Sequence, residues 1–153
     1  MSELEFIADQ IKRSFDGEAW HGPGLMEVLD GTDAKTATAR SIPGAHSIWE
    51  LVLHITGWER VMIRRIVERK VATLSDSENF GQIVTTDESA WQAAMKNLRS
   101  THDELVRLVS NLDEARLNEQ VPGKDYDIRF MLHGAPQHAA YHGGQIALLR
   151  KVS

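Results

Sequence analysis

The sequence predicts an all-α protein, a four-helix bundle with long crossover connections. Three observations predict it. Four segments carry apolar residues at the i, i+3, i+4, i+7 spacing of an amphipathic helix, capping signals head three of them, and no run alternates as a half-buried strand would. The 153 residues suffice for one domain, residues 1–153, with its own hydrophobic core.

The first helix carries the stripe Leu4, Ile7, Ala8, Ile11 and Phe15 and falters at Gly17. A short second piece opens near His21-Gly22-Pro23 and runs through Leu25, Val28 and Leu29 to Gly31, with Pro23 suited to a first turn and Gly31 to a stop. The next long helix begins at Ser47-Ile48-Trp49-Glu50, a capping-box pattern, and lines up Leu51, His54, Ile55, Trp58, Met62 and Ile66 on one face. A third opens near Thr85-Thr86-Asp87-Glu88, again with capping-box spacing from Thr85 to Glu88. Behind it runs the seam Trp91, Met95, Leu98, His102, Leu105, Val109 and Leu112. The fourth has Asp127 as N-cap and Ile128, Met131, Leu132, Ala135, His138, Ala139, His142, Ile146 and Leu149 on one face. Pro136 lies inside it, removes one backbone hydrogen bond and predicts a kink. The connections, at roughly 15 to 20 residues, are longer than an up-and-down bundle needs, and this permits a crossover. Ile42-Pro43-Gly44 and Val121-Pro122-Gly123 echo one another ahead of the second and fourth long helices and predict stiff entry turns.

Composition removes several classes of function. With 17 Lys+Arg against 22 Asp+Glu the formal charge is -5, against the clustered positive charge that nucleic-acid binding needs. No apolar run reaches the roughly 18 residues of a membrane span, and the first residues lack the basic-then-apolar layout of a signal peptide. The expected compartment is therefore the cytoplasm. The absence of Cys excludes disulfides, thiolate nucleophiles and Cys-ligated metal sites.

Histidine is the residue in excess, with 7 in the chain. His138 and His142 are one turn apart, about 40° around a helix, so both imidazoles can point at one ion. They lie on the apolar seam, and His54 lies on the buried stripe of another helix. Three inward histidines from two helices are what a bundle-core metal site requires, and three protein ligands leave a position for water or substrate. A lone histidine on such a stripe is more often a hydrogen-bonded core residue; the combination of three shifts the reading to a metal site. His102, also on a seam, fits a fourth ligand, a positioning partner or a core histidine, and the last is the favoured reading. Gln145, about 20° from His138 around the helix, can line the same cavity and orient a ligand or a substrate. His21, beside a broken helix, is a candidate for general acid or base. His133 lies roughly opposite His142 and is expected at the surface. Trp20, Trp49, Trp58 and Trp91 are expected to pack the core or line the pocket.

A divalent ion held by neutral imidazoles keeps its full charge, which favours deprotonation of a bound water or thiol. Ni2+ and Zn2+ outrank Fe2+ and Mn2+ at such a nitrogen site. Hydrolysis and thiol transfer both follow from one such site, and thiol transfer needs a low-molecular-weight thiol from outside because the chain has no Cys. The rival reading is a non-enzymatic metal-binding bundle with a structural or stress-sensing role. Capture of His102 as a fourth ligand would favour that rival.

The chain resembles the DinB-like superfamily of four-helix-bundle metalloproteins, which includes YfiT-type proteins. The resemblance is carried by Trp20-His21-Gly22-Pro23, by Ile42-Pro43-Gly44-Ala45-His46-Ser47-Ile48-Trp49-Glu50 leading to His54 with Trp58-Glu59, and by Arg129-Phe130-Met131-Leu132-His133-Gly134, His138, Tyr141-His142 and Gly144-Gln145-Ile146. Pro136 departs from the family pattern. The resemblance implies a three-His site at His54, His138 and His142 for a divalent cation, usually nickel, zinc, iron or manganese. Relatives include thiol S-transferases using bacillithiol or mycothiol and proteins described as metal-dependent hydrolases. It implies a small-molecule substrate, a homodimer, and no nucleic-acid or membrane partner.

Overall fold

The computed structural model describes residues 1–153. Its helices are α1 (Glu3–Asp16), α2 (Leu25–Leu29), α3 (Ala34–Thr38), α4 (Ile48–Glu68), α5 (Asp76–Asn79), α6 (Glu88–Ser110) and α7 (Ile128–Val152), with a 3-10 turn at Glu114–Asn118 before α7. There are no strands, and no helix is long and apolar enough to cross a membrane.

The four long helices begin where side chains satisfy their free N–H groups. Ser2 with Glu5 and Ser47 with Glu50 form reciprocal capping boxes at α1 and α4. Asp127 accepts from the Phe130 N–H at 2.8 Å at the head of α7. At α6 the cap is Asp87, not Thr85: the Asp87 carboxylate takes the Ala90 N–H at 2.7 Å. Glu88 is therefore free to turn away, and it accepts from the Ala34 N–H at 2.8 Å and ties α3 to α6. Helix α7 continues through Pro136 without a break.

Helix α1 packs on α6 and α7, and α4 packs on the same two, so α1 and α4 stand on one diagonal and α6 and α7 on the other. Residue pairings set the directions. Glu3 meets Arg129 at the starts of α1 and α7, and Trp49 meets Trp91 at the starts of α4 and α6, so each of these pairs runs parallel. His54, early in α4, meets His138, well along α7, so α4 and α7 run antiparallel. Because α4 and α6 are adjacent and parallel, residues 69–87 must return the whole length of the bundle, which is the crossover. Ile42-Pro43-Gly44 and Val121-Pro122-Gly123 close as the same turn. Gly44 has φ 80° and Gly123 φ 75°, and Ala45 N–H and Lys124 N–H reach back to the Ile42 and Val121 carbonyls at 3.1 and 3.0 Å.

The apolar core is split. One cluster gathers Leu4, Ile11, Met62, Ile66, Leu105, Val109 and Met131. A second gathers Phe15, Trp49, Ile55, Trp91, Leu98 and Ile146. Between them three of the long helices contribute polar residues: Thr56 and Glu59 from α4, Thr101 and His102 from α6, His138 and His142 from α7. The buried titratable groups His54, Glu59, His102 and His142 lie in this middle layer. Trp20 departs from its expected role, being fully exposed: the Ala19–Gly22 bridge turns the chain outward there, away from both clusters.

Candidate metal centre

Two helices and one loop build the centre. His54 projects from α4, two turns after the Ser47 cap, and His138 and His142 project from successive turns of α7. One donor nitrogen from each lies within 4.8 Å of the others. The Nε2 atoms of His54 and His138 face one another at 3.0 Å. Ligands at 2.0–2.1 Å from one ion stand about 3.0–3.4 Å apart, so this pair already has the needed spacing.

Outer contacts decide which nitrogens face inward. His54 donates through Nδ1 to the carbonyl of Asn79 at 2.8 Å, and His142 donates through Nδ1 to Gln145 Oε1 at 2.6 Å. In both rings the proton is held on Nδ1, so Nε2 keeps its lone pair for the centre. Gln145 thus positions a ring of the centre. Its place seven residues after His138 is what brought it into view from sequence.

Electrostatics agree with neutral rings. Burial pushes all three imidazoles below the ordinary 6.5, and His138, with His142 and His54 beside it, is pushed down to about 3. The bond to Asn79 opposes the shift at His54, and the bond to Gln145 opposes it at His142. Protons therefore compete weakly for lone pairs that a cation can take. The donor set is nitrogen only, borderline in softness and suited to late first-row divalent ions.

The crossover delivers contacts that periodicity cannot reveal. Phe80 stacks on His54 with centroids 4.4 Å apart, and His46 stacks on the other side of Phe80 at 3.5 Å. Asn79 also accepts from Trp58 Nε1 at 2.9 Å through its side chain. Gly81 fixes this loop against α4: its φ is 65°, and a Cβ there would lie 2.7 Å from Leu53 Cδ1. A sequence signal did exist in Ser75-Asp76-Ser77-Glu78, whose capping box opens the one-turn helix α5, Asp76–Asn79.

The remaining histidines stay outside the group. His102 donates through Nδ1 to Glu59 at 2.9 Å and stacks on Phe15 at 3.7 Å, as a buried core histidine with a carboxylate partner. Glu59 is the functional-looking group that sequence reasoning passed over, since a lone carboxylate on a helical stripe carries no spacing signal. His21 is exposed in the turn before α2. His133 lies part-exposed, 3.7 Å from Glu3.

No curated protein and no solved structure matches the chain. The family model of the DinB superfamily matches residues 20–146, which take in α4, the crossover, α6 and the α7 histidines. By that match over most of its length, the chain belongs to the DinB superfamily.

Proposed function

We propose that this protein is a divalent-metal-dependent enzyme whose three-His centre activates a thiolate or water nucleophile, acting as a thiol S-transferase or a hydrolase. The observation that carries this reading is the pair of anchored rings: His54 and His142 each give their Nδ1 proton to a fixed oxygen, leaving Nε2 directed at a point shared with His138. A bound cation would supply Lewis-acid activation of the nucleophile. The chain's own contribution is to keep three imidazoles neutral, hold them without a carboxylate that would cancel the ion's charge, and leave coordination positions open. His102, the residue whose capture would have closed the site, is engaged by Glu59 instead. That contact favours an open, catalytic site over a closed structural one.

Elemental analysis of protein purified without chelators or a His-tag tests the first half. About one divalent ion per chain is expected, lost in His54→Ala, His138→Ala and His142→Ala. Stoichiometric metal in all three variants would falsify the site. Panels of electrophiles, esters and amides, with and without bacillithiol, mycothiol or glutathione, test the second half. Thiol-dependent turnover abolished by His142→Ala selects the transferase, and thiol-independent turnover abolished by it selects the hydrolase. Metal-loaded protein that turns over nothing leaves the non-enzymatic bundle as the better account.

A further inference from the structure

We propose that Arg65 anchors the substrate of this centre by an anionic group, so that the substrate is a small molecule with an apolar body about 10 Å long ending in a carboxylate or a phosphate. The proposal rests on reading the three-His centre as the reactive end.

Arg65 is 4% exposed, and its partners are all neutral. Its Nε donates to the Ala72 carbonyl at 2.9 Å, and its Nη1 donates to the Tyr126 hydroxyl at 3.1 Å and lies 3.9 Å from the Met131 sulfur. Nη2 is buried with no hydrogen-bond partner. A guanidinium does not shed its proton to escape burial, so this is a permanent charge in an apolar setting with unused donors. Such a fork is shaped for an oxyanion. Tyr126 adds a second donor: its oxygen accepts from Arg65, leaving its own O–H free to point at the same anion.

The surroundings of the guanidinium form a groove. Trp58, Met62, Tyr126 and Met131 line a cavity of about 270 Å³ that has Arg65 and His138 in its wall. Met131 is at the Arg65 end and His138 is seven residues further along α7, about 10 Å at the helical rise. Gly134 lies midway, and a Cβ there would meet nothing within 4 Å, so the groove is open at that level. One end is therefore a candidate metal-ligating ring, the middle is apolar, and the far end is a cation over the Trp58 ring, 5.8 Å from its centroid, with no counter-charge. Tyr126 and Phe130, whose rings lie 5.2 Å apart, form the outer lip. Phe130 is 66% exposed, so the lip borders solvent, and access of an anion to the buried Nη2 requires it to move aside.

The test uses full-length, chelated protein followed by 1H–15N NMR titration, with 4-phenylbutyrate, phenethyl phosphate and neutral 4-phenylbutanamide as probes. The anions are expected to shift amides of α4 and α7 along the groove and to bind at least about tenfold more tightly than the amide. The tighter of the two anions identifies the headgroup. Arg65→Met is expected to bring anion binding down to the level of the amide. Because that change also strips the Ala72 carbonyl of its donor, two variants that keep Arg65 ask the same question. Gly134→Leu fills the groove and should abolish binding, and Tyr126→Phe should weaken only the anions. Equal binding of amide and anions, binding of neither, or anion binding unchanged in Gly134→Leu and Tyr126→Phe overturns the proposal. The readout needs no metal, so wild type that binds the anions yet takes up no divalent ion when one is added would count against the metal reading alone.

Discussion

His54 gives its Nδ1 proton to the main-chain carbonyl of Asn79, 25 residues further along the chain, at 2.8 Å. A candidate ligand on α4 is thereby oriented by the crossover that carries the chain from α4 to α6. The centre depends on the bundle and on its connection together.

Gln145 should matter for affinity and little for fold. Gln145→Leu removes the acceptor that holds His142, and loss of such an outer contact typically weakens metal binding about 10- to 100-fold. Competition titration against a chelator of known affinity checks this, with circular dichroism as the control. Unchanged affinity would show that the 2.6 Å contact orients nothing.

Chelation should leave the helices in place. Two apolar clusters pack on either side of the polar layer without any ion, so the helical signal at room temperature should persist. Added Ni2+ or Zn2+ should raise the melting temperature, by about 2.7 kcal/mol of stability at a free concentration 100 times the dissociation constant. Collapse of the helices on chelation would make the ion structural.

The chelated protein should lose stability as pH falls below about 6.5. The folded imidazoles, His138 at about 3 above all, refuse protons that the unfolded chain accepts near 6.5. Their contribution is complete above the unfolded value and drains as pH falls toward the folded one. Urea midpoints of chelated wild type should fall between pH 7 and 4, and fall less steeply in His138→Leu, which has one fewer refused proton. Equal slopes in the two proteins contradict the assignment.

Glu59 and His102 should behave as a coupled pair. Both are buried, and Glu59 Oε2 and His102 Nε2 have no partner of their own, so removing either residue strands the other. Glu59→Ala should cost about 3–5 kcal/mol, and the double change to Leu should cost less than the sum of the two single Leu changes. Denaturant titrations of the cycle measure the coupling; additive losses would mean the 2.9 Å contact is incidental. Metal content should stay unchanged throughout.

Gly81→Ala should disturb the centre from a distance. It imposes a Cβ at φ 65° and drives it against Leu53. A loss of about 1–3 kcal/mol and weaker metal binding are expected together, since the loop that shifts carries Asn79 and Phe80. Denaturation and metal titration read the two effects, and destabilisation with unaltered affinity would uncouple the loop from His54.

Local physics, written residue by residue, made much of this protein legible from its sequence. The 3.6-residue period placed the four long helices, Ser47, Glu50 and Asp127 marked where two of them start, and the turn-apart spacing of His138 and His142 put two imidazoles on one face. The Thr85 capping pattern failed because Asp87, two residues on, caps the helix through the Ala90 N–H, and a charged acceptor binds a free N–H better than a hydroxyl. Tertiary structure decided what depends on contacts between segments distant in the chain. Only the crossover's path sets Asn79 and Phe80 against His54, only the pairing of α4 with α6 engages His102 with Glu59, and only the antiparallel approach of α7 to α4 puts Arg65 and His138 in the wall of one cavity. Periodicity reports which face of a helix is buried. What that face meets depends on where other helices lie, and no spacing within one helix encodes it.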